Sequence, residues 1–202
     1  MNDLSDIQAA LKGATAALHA DVERQPCFSR LMMADVTVAD VVRAISVLHA
    51  HHAMWEPALE SALSGIAPHG FLARRARLPA LQADLTRHAV IARAPADPRA
   101  GLGVDEAMGW LYVHDGARHG ALVIRKHLAR CLGETVANRF SAFSGSGKDV
   151  AEMWAETRGL IAQCIQTEDQ LRRAVAGAQS AFAALNTCAA RDGAREAVAL
   201  AG

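Results

Sequence analysis

Apolar residues recur along this chain at helical spacing from near its start almost to its end. Leu4, Ile7, Leu11, Leu18 and Val22 follow helical spacing and predict a first helix that starts near Asp3 or Ser5 and ends at Gln25-Pro26. A short helix is expected over Phe28–Met33, followed by a turn at Asp35-Val36-Thr37 with Thr37 as helix cap. Val41, Ile45, Leu48, Leu59 and Leu63 then mark the core side of a long helix from about Val38 to Ser64. Further helices are expected from Pro79 to Ala92, between Gly101 and Gly133, from Val150 to Gln166 with Asp149 as cap, and from Glu168 to about Ala190 with Thr167 as cap. Loops hold Pro68 and Gly70, the proline- and glycine-rich stretch from Arg93 to Gly103, and Ser141–Lys148. No alternating strand pattern, internal repeat or domain linker interrupts the series. The expectation is one all-α domain of seven or eight helices over residues 1–190, with residues 191–202 as a flexible tail.

The segment from Gly101 to Gly133 departs from an ordinary amphipathic helix. It contains Gly109, Gly116 and Gly120. At about 100° per residue, Gly116 falls about 20° from Gly109, and Gly120 about 40° from Gly116. All three share one stripe, although each costs a helix roughly 0.8–1.0 kcal/mol relative to alanine. A bare stripe admits either a closely packed helix or a flat ligand lying on the backbone; the pattern alone favours packing.

Composition narrows the chemistry. Of 202 residues, 51% are hydrophobic and 4% aromatic, which suits helices and argues against a β-sandwich. Lys+Arg and Asp+Glu both number 21, so no nucleic-acid footprint is expected. No apolar run reaches a membrane span, and Met1–Asp6 lacks a signal-peptide pattern. Cys27, Cys131, Cys164 and Cys188 are scattered without a CxxC, as in a cytoplasmic protein with reduced thiols, and the unremarkable surface leaves a monomer as the default.

Three other groups of residues invite a chemical reading. His52 and Glu56 lie four apart on the long helix and share a face suited to a metal, yet no second Glu/His cluster completes a site. Histidines on a helix surface or satisfied in the core explain them better. Arg74, Arg75 and Arg77 read as a solvated face, with an anion site as the minor option. Ser144–Lys148 lacks the full spacing of a phosphate loop and has no strand before it. His19 with a glycine-bared helix is a better combination. An imidazole can ligate haem iron from one side while a backbone without side chains approaches the porphyrin from the other.

Lys12, Thr15-Ala16-Ala17-Leu18-His19 and Gly109-Trp110-Leu111-Tyr112-Val113, with Asp115-Gly116 and Gly120, resemble the bacterial haem oxygenases, most closely the biliverdin-forming type associated with bacteriophytochromes. Chain length, helix order and Trp154 with Arg158 are also similar to that family, over roughly residues 4–188. The resemblance implies a helical bundle that sandwiches haem between a proximal and a distal helix. It implies His19 as iron ligand, with Lys12, Thr15 and Arg158 on the haem-binding side and the two basic residues meeting the propionates. Gly116 and Gly120 correspond to the distal-helix glycines. Haem would be both cofactor and substrate, converted with O2 to biliverdin, CO and iron by electrons from a ferredoxin, a reductase or ascorbate.

This chain departs from the family at three distal positions. Ala121 stands where a second glycine is usual, on the haem-binding side, where it would narrow the haem gap slightly, and Ala117 where a serine or aspartate is usual. His119 lies between the two glycines, about 60° from the stripe. A histidine there can point away, act as an acid, or bind iron as a sixth ligand. The last would leave a non-catalytic haem-binding or haem-sensing protein. A third expectation, a related helical enzyme of the thiaminase-like group, would need a catalytic cysteine and carboxylates that the sequence does not place.

Overall fold

The computed structural model describes residues 4–92 and 101–201, without the side chains of 194–201. The expected cap at Asp3 and most of the 93–103 loop lie outside the described residues. The described residues form eight α-helices: α1 (Leu4–Arg24), α2 (Pro26–Ser29), α3 (Val38–Leu63), α4 (Leu78–Arg87), α5 (Val104–Leu132), α6 (Glu134–Ala137), α7 (Gly147–Cys164) and α8 (Glu168–Ala201). There is no strand among the described residues.

Local chemistry sets most boundaries. Thr37 and Asp40 form a reciprocal capping box at the start of α3: Asp40 N donates to Thr37 Oγ1 at 3.2 Å, and Thr37 N donates to Asp40 Oδ2 at 2.9 Å. Gly133, at φ 88°, ends α5 in a conformation that side chains resist. Three ends differ from expectation. Ser146, not Asp149, caps α7, because its hydroxyl accepts from Asp149 N at 3.1 Å. Helix α4 stops at Arg87, where Ala89 turns left-handed and Val90 N closes back on Leu85 O at 2.9 Å. Helix α8 continues to Ala201, past the end expected near Ala190; its Asp192 is buried and accepts from Arg43 Nε on α3.

The helices enclose two main apolar cores. One gathers Ile7 and Leu11 of α1, Trp55 and Leu59 of α3, Met108 and Leu111 of α5, and Ala174 and Ala178 of α8. The other lies around Ile45, Leu81, Leu85, Leu128 and Phe140. Helices α5 and α8 form the most extensive pair, and α1 also rests along α8; α1 and α5 are not substantially packed on each other. No helix among the described residues is long and apolar enough to cross a membrane.

Candidate functional site

On α1, three candidate residues face different surroundings. Thr15 is buried and its hydroxyl donates to Leu11 O at 2.7 Å, so its own helix satisfies it. Lys12 is exposed. The His19 side chain is 57% exposed; its Nδ1 lies 3.6 Å from Glu23 Oε1, and its ring meets Phe182 of α8 edge-on at 5.5 Å.

The glycine stripe of α5 divides in two. A Cβ on Gly109 would sit 1.9 Å from Ala174 O and 2.6 Å from Ala178 N. Gly177 of α8 is its counterpart, with a Cβ position 2.2 Å from Glu106 O. Here the bare backbones are needed for helix contact. A Cβ on Gly116 would meet only the Trp154 ring, at 3.9 Å, and one on Gly120 would meet nothing within 4 Å. Packing therefore explains Gly109 and not the other two. Ala117, His119 and Gly120 are exposed, whereas Ala121 is buried in the second core. Ala121 therefore packs inward instead of narrowing a gap on the stripe. His119 Nδ1 lies 3.3 Å from Gly116 O, and its ring meets Trp154 edge-on at 5.7 Å. Tyr112 packs on the same indole at 5.4 Å.

Trp154 and Arg158 come from α7, which packs against α5 and touches α1. Arg158 is partly buried, and its Nε is enclosed without a hydrogen-bond partner. The structure thus joins Tyr112, Gly116, His119 and Trp154 on one side, and His19 with Glu23 and Phe182 on another. Helices α7 and α8 connect the two groups. These residues fit haem in three respects: a solvent-facing imidazole, a bare backbone that no helix fills, and a guanidinium N–H lacking an acceptor.

Behind the open face lies a polar cluster that the sequence reading missed. Arg75 is only 1% exposed, not solvated as expected. Its Nε donates to Asp115 Oδ2 at 2.7 Å, Nη1 to Phe71 O at 3.0 Å and Nη2 to Met153 O at 2.7 Å, and its guanidinium stacks on the Phe71 ring. Asp115 also accepts from the Thr157 hydroxyl and from Arg118 Nε at 3.2 Å. Burial opposes its charge, but neighbouring His114, the Thr157 hydroxyl, Arg75 and Arg118 together hold its carboxyl below the ordinary pKa. Arg77 is buried as well; its backbone N–H donates to Glu56 Oε1 at 3.0 Å and its Nη2 to Ala142 O at 2.6 Å. Burial pushes its guanidinium down to about 10, still charged at neutral pH. The available clue was Asp115 on an otherwise apolar face with Arg118 three residues on.

His51, His52 and His114 are buried beside Trp55. Burial, reinforced by neighbouring cations or imidazoles, pushes His114 down to about 3 and the other two well below the usual histidine value. All three are therefore neutral at pH 7.

No protein-family profile matches the chain. It is 32% identical over 151 residues to a haem oxygenase of Xanthomonas campestris pv. campestris, covering 72% of this chain and 88% of that one. Its fold is similar to haem oxygenase from Neisseria meningitidis, solved with NO and CO bound, at TM-score 0.69 and 19% identity, over 92% of this chain and 91% of that one. It is also similar to haem oxygenase-1 from the cyanobacterium Synechocystis in complex with haem, at TM-score 0.66 and 16% identity, over 96% of both chains. The glycine-bared α5, the helical architecture and the extent of the Xanthomonas match lead to one conclusion: the chain belongs to the haem oxygenase family.

Proposed function

We propose that this protein binds haem between α1 and α5 and oxidises it to biliverdin, CO and iron. The observation that carries this reading is the divided glycine stripe, in which Gly116 and Gly120 lack side chains that no protein packing forbids. Haem, when bound, supplies the iron at which O2 is activated and the porphyrin that is opened. His19 is the proximal ligand. With Glu23 near Nδ1, a small rotamer change lets the carboxylate accept the Nδ1 proton, leaving the Nε2 lone pair for iron. Lys12 and Arg158 meet the propionates, and the unsatisfied Arg158 Nε gains an acceptor there. The backbone at Gly116 and Gly120 forms the distal wall, with Trp154 closing one side. Electrons come from an external donor, a ferredoxin, a reductase or ascorbate. The pigment would suit a bacteriophytochrome pathway.

The test is hemin titration followed by ascorbate in air. Wild-type protein is expected to develop a sharp Soret band and then a biliverdin spectrum. His19→Ala should lose the native Soret band, and an unchanged band would overturn His19 as ligand. A second reading, a haem binder without turnover, is favoured by the place of His119, one turn from Gly116 against Trp154. It predicts a six-coordinate low-spin spectrum that persists under reductant and disappears in His119→Ala.

A further inference from the structure

The His52–Glu56 pair on α3 plays no part in the proposed haem site, and the fold adds the ligand that its sequence lacked. His114 arrives from α5, 62 residues after His52, and its ring lies 5.3 Å from that of His52. One nitrogen of each imidazole and a Glu56 carboxylate oxygen all lie within 4.8 Å of one another. We propose that His52, Glu56 and His114 form a binding site for a divalent first-row metal ion, held by two imidazoles and a carboxylate.

The surrounding structure prepares these ligands. His114 Nε2 donates to Arg75 O at 2.8 Å, which fixes its tautomer and leaves an Nδ1 lone pair buried without a partner. A buried imidazole acceptor left unsatisfied is costly unless water or a metal fills the need. Glu56 is fixed by two backbone donors, Arg77 N at 3.0 Å and Leu78 N at 3.3 Å, and retains further lone pairs. Its Oε1 lies 2.7 Å from His52 Nδ1.

A cavity of about 110 Å³ adjoins Glu56 and His114, bounded also by Trp55, Glu60 and Arg75. Since a water molecule needs roughly 10–15 Å³ of such space, water can complete the coordination shell. Two histidines and one carboxylate with open positions suit zinc(II) and iron(II). The nearby guanidiniums of Arg75, Arg77 and Arg118 oppose a cation, but Asp115, Glu156 and Glu56 offset them. Burial among apolar and aromatic groups favours directional coordination over loose ion pairing.

The experiment uses chelator-treated, haem-free protein at pH 7, titrated with zinc(II) and separately with cobalt(II). At a hundredfold excess over Kd, zinc(II) is expected to raise Tm by roughly 5–10 °C. One equivalent of cobalt(II) should give the intense visible bands of low-coordinate nitrogen and oxygen ligation. Glu56→Gln and His114→Gln should each weaken binding by roughly tenfold or more. The proposal is overturned by no Tm shift, by equal affinity in folded variants, or by thiolate-to-cobalt charge transfer. The last would place the ion at Cys131 and His127, where Sγ and Nε2 lie 3.4 Å apart. Should both variants fail to fold, the wild-type cobalt(II) spectrum still decides: either the spectrum of hexa-aqua ions or thiolate charge transfer would sink the site.

Discussion

The two halves of α5 look alike in sequence and serve opposite ends. In its first half, the space beside Gly109 is occupied by the α8 backbone, with Ala174 O only 1.9 Å from where a Cβ would stand. In its second half, Gly116 and Gly120 expose their backbone to a lone indole ring or to nothing. A missing side chain thus has two meanings within one helix. At Gly109 it stabilises the fold by permitting close helix contact. At Gly120 it costs helix stability without any return in packing, as the proposed haem surface requires. Between them, Asp115 anchors the helix from behind through Arg75, Thr157 and Arg118.

The substitution with the largest expected effect tests that anchor. Asp115→Asn takes from buried Arg75 its fully buried carboxylate, leaving only the more exposed Glu156 at 3.0 Å, and should destabilise the protein by about 3–5 kcal/mol in urea unfolding. A loss below ~1 kcal/mol would mean that α5 is held mainly by its apolar contacts. Gly109→Ala comes next, expected to cost about 2–3 kcal/mol because α8 must move away. If that variant unfolds like wild type, the close contact is not a constraint and the division of the helix fails.

Acidification examines the layer behind the open half. The folded pKa values of His51, His52 and His114 lie below the unfolded value of about 6.5. Above that pH both states are neutral and the full stability is present. Below it the unfolded chain takes up protons first, so stability falls by up to about 1.4 kcal/mol per pH unit for each imidazole, continuing to about pH 3 for His114. A flat Tm between pH 7 and pH 5 would contradict the buried, neutral state of these rings. The smallest effect on stability carries the most meaning for function. Gly120→Ala should stabilise the fold by about 0.8–1.0 kcal/mol while weakening hemin uptake. Greater stability with unchanged hemin binding would remove the reason for keeping that surface bare.

How much of this was legible depended on whether the signal was local. The Thr37 cap, the Gly133 stop and the helical repeats of α1, α3 and α5 were readable because each depends on residues within a turn or two. The stripe of Gly109, Gly116 and Gly120 was readable as a stripe, but what lay against it was not. The arginines at 75 and 77 were misread as solvated because their acceptors, Asp115 and Ala142 O, are supplied by distant segments.

The sequence by itself determined an all-α chain, the periodic faces of its helices and the motifs that resemble the haem oxygenases, since backbone propensity and capping act over a few residues. Only the tertiary structure decided which glycines are filled and which are open, that Arg75 and Asp115 are buried together, and that His114 meets His52 and Glu56. Those outcomes depend on how helices far apart in the chain come to lie, and burial, which sets the charge state of a histidine or the partner of an arginine, exists only once they have packed.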